Sequence, residues 1–299
     1  MTGIVRLTQT VVVLGLFTLA LLPLQLLGIR RGWKLAGDLP MVWQRLAWRL
    51  IGMRVTVIGK PAPPPVLMAA NHISWLDIAV LGGITKPLSF VAKAEVASWP
   101  VLGLLAKLQR TIFIDRTRRH DAGPVAAEAG RRVAQGEAVV LFPEGTTGDG
   151  NRVLPFRSAL FGAAAAAGER LSGVQPVAIA YVGIHGLPMG RADRPTVAWY
   201  GDTDFISHFL RLVGRGGMDV VVCFGEPIPF GPGSDRKRVA EQCHAEVRRM
   251  IEAIRAGGVS RNVDPDRLFS PLPKDAKGTG DALAHSFGES PQEVPDRVA

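Results

Sequence analysis

Twenty-three consecutive residues without a charge, Leu7 to Ile29 (LTQTVVVLGLFTLALLPLQLLGI), constrain this chain more than any other feature. At about 1.5 Å per residue, a helix of that length covers the roughly 30 Å hydrocarbon layer of a bilayer. A secretory signal has a shorter apolar core followed by a small-residue cleavage site. Here Arg30 and Arg31 follow, which favours a retained anchor over residues 1–29. Pro23 leaves open a second geometry, a hairpin that dips into the bilayer and returns, because proline removes a backbone donor in mid-helix. Arg30, Arg31 and Lys34 after the segment put the bulk of the chain on the cytoplasmic face of the cell's inner membrane.

The charge balance agrees with an anionic partner. Net charge is +9, and 47% of the 299 residues are hydrophobic. Residues 30–60 carry Arg30, Arg31, Lys34, Arg45, Arg49, Arg54 and Lys60 against a single acid, Asp38. Within them DLPMVWQRLAWRLIGM has apolar residues at helical spacing with arginines on the flank. Two readings stay open for it: a basic helix in the headgroup layer, or an ordinary helix covering the core. Because the basic cluster adjoins the apolar segment, a lipid surface fits better than nucleic acid. The two cysteines, Cys223 and Cys243, form neither a disulfide framework nor a metal-ligand spacing.

Past the stiff KPAPPP linker, apolar runs alternate with helical patterns. VLMAA, LSFVA, TIFI, AVVLF, VQPVAIAYV, PTVAWYG and DVVVCFG read as strands. Helices are predicted between them, with a long one, RKRVAEQCHAEVRRMIEAIRA, at the end. Short continuous apolar strands separated by helices imply an α/β layer with a buried sheet flanked by helices. Residues 61–256 form the expected catalytic domain. Residues 257–299, rich in Pro, Gly, Ser, Asp and Lys, are expected to be disordered.

The chain lacks the G-x-S-x-G elbow, the P-loop, H-E-x-x-H and G-x-G-x-x-G, which argues against serine hydrolases, P-loop nucleotidases, zinc proteases and dinucleotide enzymes. It does place polar residues at strand ends: NHISWLD (71–77), FIDR (113–116), FPEGTTGDG (142–150) and QPVA (175–178). Loops at the carboxyl ends of strands build the site in α/β sheets. On a regular helix His72 and Asp77 would point about 140° apart. They meet only if His72 lies on the turn before a helix and Asp77 in its first turn. Asp77 could then hold one ring nitrogen and leave the other free to take a proton. Equally, Asn71 and Asp77 could simply cap the helix. The FPEGTT loop is suited to offering backbone N–H groups to an anion, and it could equally be an ordinary turn.

Together and in this order, NHISWLD, RTIFIDR, LFPEGTT and VQPVAIA resemble the four blocks of the lysophospholipid acyltransferase family, which contains bacterial 1-acylglycerol-3-phosphate acyltransferase. The resemblance covers roughly residues 66–225. It implies a glycerolipid-acyltransferase-like mixed α/β sheet behind an N-terminal membrane helix. It also implies transfer of an acyl group from an acyl-carrier-protein or coenzyme A thioester to the free hydroxyl of a lysolipid. By the same resemblance His72 is the general base and Asp77 holds it. Arg116, Glu144, Gly145 and Thr146 position the acceptor, with Lys93 and Arg157 as further basic candidates. A thioester is already activated, so neither a metal nor a redox cofactor is expected.

Two departures bear on the acceptor. Arg110 stands where the second block usually has glycine. Thr147-Gly148-Asp149 follows where the third block usually continues with arginine. Arg110 is the candidate to supply the missing cation. Lysophosphatidate is the family's commonest acceptor and comes first on that ground. FRSALFGAA and VAWYGDTDF resemble the branch that acylates the zwitterionic lyso-ornithine lipid, its close rival. A thioester hydrolase and a non-catalytic lipid-binding protein are the more distant alternatives.

Overall fold

The computed structural model describes residues 3–86, 88–114, 122–167, 171, 173–231 and 233–257. The expected disordered tail lies outside them except for Gly257, and so do Asp115 and Arg116. Among the described residues, eight strands form one mixed sheet: β1 (Arg54–Ile58), β2 (Val66–Ala70), β3 (Leu88–Lys93), β4 (Ile112–Ile114), β5 (Ala138–Leu141), β6 (Val174–Ile184), β7 (Leu187–Pro188) and β8 (Met218–Phe224). The order across the sheet is β1-β8-β6-β2-β5-β3-β4, with β7 turned back on the end of β6. β4, β3, β5, β2 and β6 run parallel to their neighbours. β8 is antiparallel to β6, and β1 is parallel to β8.

Among the described residues eight helices, α1 (Gly3–Arg31), α2 (Leu35–Ile51), α3 (Leu76–Gly82), α4 (Leu102–Leu108), α5 (Ala122–Ala134), α6 (Gly162–Ala167), α7 (Phe205–Arg215) and α8 (Arg236–Ala256), surround the sheet. Because side chains alternate across a strand, each apolar run supplies both faces. Val66, Met68 and Ala70 join the core under α2, α3 and α7. Leu67 and Ala69 join the core under α5 and α6. Every residue of β2, β5 and β8 is buried, as continuous apolar strands covered on both sides require.

Two strand readings change. PTVAWYG is not a strand: Arg194–Thr196 is a 3-10 turn. Pro195 has no N–H to give a ladder, and the Trp199 N–H goes instead to the Ile73 carbonyl, 2.9 Å away. RVTVI, inside the stretch assigned to the basic surface segment, is β1. It is an edge strand with mostly exposed side chains, so it carries no apolar run to announce it.

The α2 segment covers the core, burying Ala47 and Ile51. It lies close on α3 because Gly82 and Gly83 have no side chains. A Cβ on Gly83 would stand 2.1 Å from the Trp48 ring, and one on Gly82 would stand 2.2 Å from the Gln44 amide. Trp48 Nε1 donates to the Ala79 carbonyl at 2.9 Å, and Arg45 Nε to the Gly83 carbonyl at 2.8 Å. The apolar helix α1 is tied to the domain at both ends. Near its start Arg6 donates to the Arg215 carbonyl at 2.5 Å. Near its end the Gln25 amide donates to the Ala36 and Leu108 carbonyls, both at 3.0 Å. Between them Trp43 Nε1 donates to Thr18 Oγ1 at 2.8 Å. The opposite side of α1 stays exposed and apolar along its whole length, from Ile4 through Val12, Leu16 and Leu19 to Leu27.

Candidate active site

β2 delivers its last residue, Ala70, to the carboxyl edge of the sheet, and Asn71 fixes the exit. Its amide donates to the Ile179 carbonyl at 2.9 Å and accepts from the Ile179 N–H at 2.8 Å. The side chain thus extends the pairing of β2 with β6 while the backbone turns away into His72-Ile73-Ser74. Asn71 ties a strand end and is not a helix cap.

Asp77 lies in the first turn of α3, fully buried. Its Oδ2 sits 2.8 Å from His72 Nδ1 and accepts the N–H groups of Ile73 at 2.7 Å and Ser74 at 2.9 Å. Tyr181, reaching over from β6, donates its hydroxyl to Oδ1 at 2.8 Å. Capping and orientation of the histidine are therefore one arrangement, because a single carboxylate does both. Burial, with the neighbouring carboxylate, pushes the Tyr181 phenol well above its ordinary range and keeps it a donor. With Nδ1 bearing the proton toward Asp77, Nε2 is left as an acceptor. The His72 ring stacks on Phe142, with centroids 4.0 Å apart and planes 17° apart. Its side chain keeps 18% exposure, enough to meet a reactant.

The loop after β5 supports that histidine from below. Gly145, at φ 73°, makes the tight turn that glycine adopts without steric cost. Its N–H returns to the Phe142 carbonyl at 3.0 Å. Glu144 is only 4% exposed, so its carboxyl is buried beneath the loop. One oxygen accepts the His72 N–H at 3.2 Å, and the Leu154 N–H also donates to this carboxyl. Burial raises its pKa to about 8, against those two hydrogen bonds and aided by the nearby Asp77. Further along, the Gly148 N–H donates to the His72 carbonyl at 2.9 Å. Thr147, at the position where arginine is usual, gives its hydroxyl to the Trp199 carbonyl.

Of the other candidates, Thr146 and Arg157 are exposed at the mouth. The Arg157 guanidinium lies over Gly145, where an added Cβ would come within 3.0 Å of it. Lys93 ends β3 at the same edge as Ala70 and Leu141; its side chain and all of Arg116 lie outside the described residues. Arg110 does not belong to this group. It precedes β4, whereas the site loops follow their strands, so it stands at the opposite edge of the sheet. There it pairs with Glu137 at 2.7 Å, just ahead of β5. Accordingly, Arg110→Ala is expected to leave the acceptor KM within about twofold in steady-state assays. The lost pair, half-exposed on the arginine side, costs at most about 1 kcal/mol in a melt.

Two contributors escaped the sequence reading. Tyr181 is one of two tyrosines in the chain, and a polar-tipped aromatic in an otherwise aliphatic strand is the signal that could have found it. Phe142 reads from the sequence as a strand end and the start of a loop, yet its ring is the floor for His72.

A part-exposed histidine held by a buried carboxylate thus stands at the carboxyl-end rim of a mixed sheet. A family model described as Acyltransferase matches residues 54–182, which take in β1 to Tyr181. The chain is 43% identical over 263 residues to the lyso-ornithine lipid O-acyltransferase of Rhizobium meliloti (strain 1021), covering 86% of this chain and 89% of that one. It is 34% identical over 197 residues to the 1-acyl-sn-glycerol-3-phosphate acyltransferase of Neisseria gonorrhoeae, covering 65% and 73%. The crystal structure of the 1-acyl-sn-glycerophosphate acyltransferase of Thermotoga maritima shares the fold with a TM-score of 0.51 at 21% identity, over 73% of this chain and 80% of that one. The chain belongs to the acyltransferase family and is an O-acyltransferase associated with membranes.

Proposed function

We propose that this enzyme moves a fatty acyl group from a thioester, on acyl carrier protein or coenzyme A, to the free hydroxyl of lyso-ornithine lipid. The observation that carries the chemistry is the His72–Asp77 pair with Nε2 left free. His72 Nε2 takes the hydroxyl proton as the oxygen attacks the thioester carbonyl. The tetrahedral intermediate collapses, the C–S bond breaks, and the departing thiolate receives the proton back from the imidazolium. Asp77 stabilises that imidazolium and holds the ring. Thr146, Gly145 and Arg157 line the mouth where the acceptor is positioned, and Glu144 acts from beneath by holding the His72 backbone. A thioester is activated already, so a base and positioning suffice, without metal or redox chemistry.

The acceptor choice rests on two points. Identity is higher, and coverage broader, to the lyso-ornithine lipid relative. Among the described residues, Thr147 replaces a cation in the loop and Arg110 is at the far edge, which leaves less to grip a phosphomonoester. Lysophosphatidate is the second reading, favoured by Arg157 over Gly145. The test supplies a labelled thioester with each lysolipid separately. Acylation of lyso-ornithine lipid at a kcat/KM at least about tenfold above lysophosphatidate, a difference of about 1.4 kcal/mol, supports the reading. The reverse preference replaces the acceptor. Thioester loss without a lysolipid indicates a hydrolase, and no loss at all a binding protein.

For the location, the reading is the cytoplasmic face of the inner membrane, supported by Arg30 and Arg31 in the last turn of α1 and Lys34 just after it. The ties at Arg6 and Gln25 are separated by about 28 Å of helix axis. They support α1 lying along the domain with its free apolar side in one leaflet, rather than crossing. On this view residues 1–29 anchor the protein, and the catalytic domain begins with β1.

A further inference from the structure

One surface remains unaccounted for. Helix α7 starts at Asp204, whose side chain accepts the Ser207 N–H at 2.8 Å, and it is strongly two-sided. Its inner side buries His208, Leu212 and Val213. Phe205 and Phe209 on this helix meet the ring of Trp75, at centroid distances of 5.8 and 5.5 Å. Trp75 belongs to the loop that carries His72. The outer side presents Ile206, 59% exposed, and Leu210, 45% exposed.

Those two residues and Gly214 are spaced at i, i+4 and i+8, and so form one stripe along the helix. The stripe ends on α1. A Cβ added to Gly3 would stand 3.0 Å from the Gly214 carbonyl oxygen, so the two backbones touch there. Ile4, 78% exposed, and Val5 follow directly on α1. The apolar stripe of α7 thus runs without interruption into the apolar face of α1. Arg211 and Arg215, both exposed, flank it one turn apart, and Arg6 is bonded to the Arg215 carbonyl. An apolar stripe bordered by cations is what a helix lying in an anionic bilayer surface presents.

We infer that the outer face of α7 is a second membrane contact: Ile206 and Leu210 insert into the lipid interface while Arg211 and Arg215 meet anionic headgroups. This inference rests on the reading of α1 as a membrane element and extends it to a helix on the catalytic domain. The contact sets the mouth of the site, through Trp75, at the bilayer surface, where a lysolipid is delivered.

The experiment uses the full chain with single labels on Ile206→Cys, Leu210→Cys and, as a control, Glu241→Cys on the exposed side of α8. Cys223 and Cys243 are fully buried and stay unlabelled. Vesicles of phosphatidylcholine and phosphatidylglycerol carry brominated acyl chains as the quencher. Loss of emission at 206 and 210 but not at 241 is the expected result. Quenching at 206 and 210 no greater than at 241, with the protein vesicle-bound, overturns the α7 contact and leaves the α1 anchor standing. Protein that fails to bind vesicles at all overturns the anchor and the contact with it. Concentration-dependent self-quenching without lipid assigns the face to a second copy and also overturns the proposal. The Ile206→Asp/Leu210→Asp variant, changed only at exposed positions, should melt with the wild type. It should bind these vesicles at least about tenfold more weakly, since it puts two charges where two apolar side chains would leave water. Unchanged affinity again overturns the contact.

Discussion

Replacing His72 by alanine is expected to lower kcat for acyl transfer about 10²–10⁴-fold, the range a positioned general base contributes. The acceptor KM should move little, because the imidazole is proposed to act on the proton rather than on the headgroup. The fold should survive, as the ring is partly exposed and rests on one face of Phe142. Asp77→Asn should reach a similar loss of kcat by a different route. The carboxylate takes four donors, from His72, Ile73, Ser74 and Tyr181. An amide nitrogen turned toward His72 would donate to Nδ1, drive the ring proton onto Nε2 and remove the base. Turned the other way, it would oppose the Tyr181 hydroxyl. In the first orientation the Ile73 and Ser74 N–H groups face a donor, and in the second the Tyr181 O–H loses its acceptor; each costs about 1–3 kcal/mol, so this variant should also melt earlier. The double variant should lose little more kcat than either single one, since residues acting as a unit are not additive. A His72→Ala enzyme that retains turnover within about tenfold, below the contribution expected of a base, would remove His72 from the chemistry.

The contrast between the two edges of the sheet explains what could and could not be read beforehand. Apolar runs such as VLMAA and AVVL announce buried strands, and the residues just after them fall at one edge because those strands are parallel. That much placed His72 and Glu144 together. Arg110 misled because it is near FIDR in the chain, yet a residue before a strand and a residue after it lie at opposite edges. Tyr181 was invisible for the converse reason. It is 104 residues from Asp77, and only the pairing of β2 with β6 makes them neighbours. PTVAWYG failed because a short apolar run looks alike in a strand and in a buried turn. The arrangement of Asp77 could be foreseen as a condition, with His72 on the turn and Asp77 in the first helical turn. It could not be foreseen that one carboxylate would also collect two backbone N–H groups and a phenol.

Glu144, an acceptor contact by the family resemblance, lies below the site as a buried carboxyl. Its ordinary pKa of 4.5 rises to about 8 on burial, so the folded protein holds this proton far more tightly than the unfolded chain. The associated stability is fully present below about pH 4.5 and is lost as pH rises through about 8. Glu144→Gln keeps an oxygen for the His72 and Leu154 N–H groups but has no proton to lose. Melts of the two proteins should therefore diverge in favour of the variant as pH rises from 5 to 9. One pKa unit is worth about 1.4 kcal/mol, which sets an upper bound of about 4 kcal/mol on the divergence. Turnover near neutral pH should stay within a few-fold of wild type, because the carboxyl is protonated there. Glu144→Ala strands the two N–H groups and frees the His72 backbone, so it should lower kcat at least about tenfold, the equivalent of about 1.4 kcal/mol, with the acceptor KM little changed. If Glu144→Gln instead raises the acceptor KM at constant kcat and melts in parallel with wild type across the range, the carboxylate is charged and meets the acceptor. The link between the two loops would then have to be carried by Gly148, whose N–H holds the His72 carbonyl from the other side.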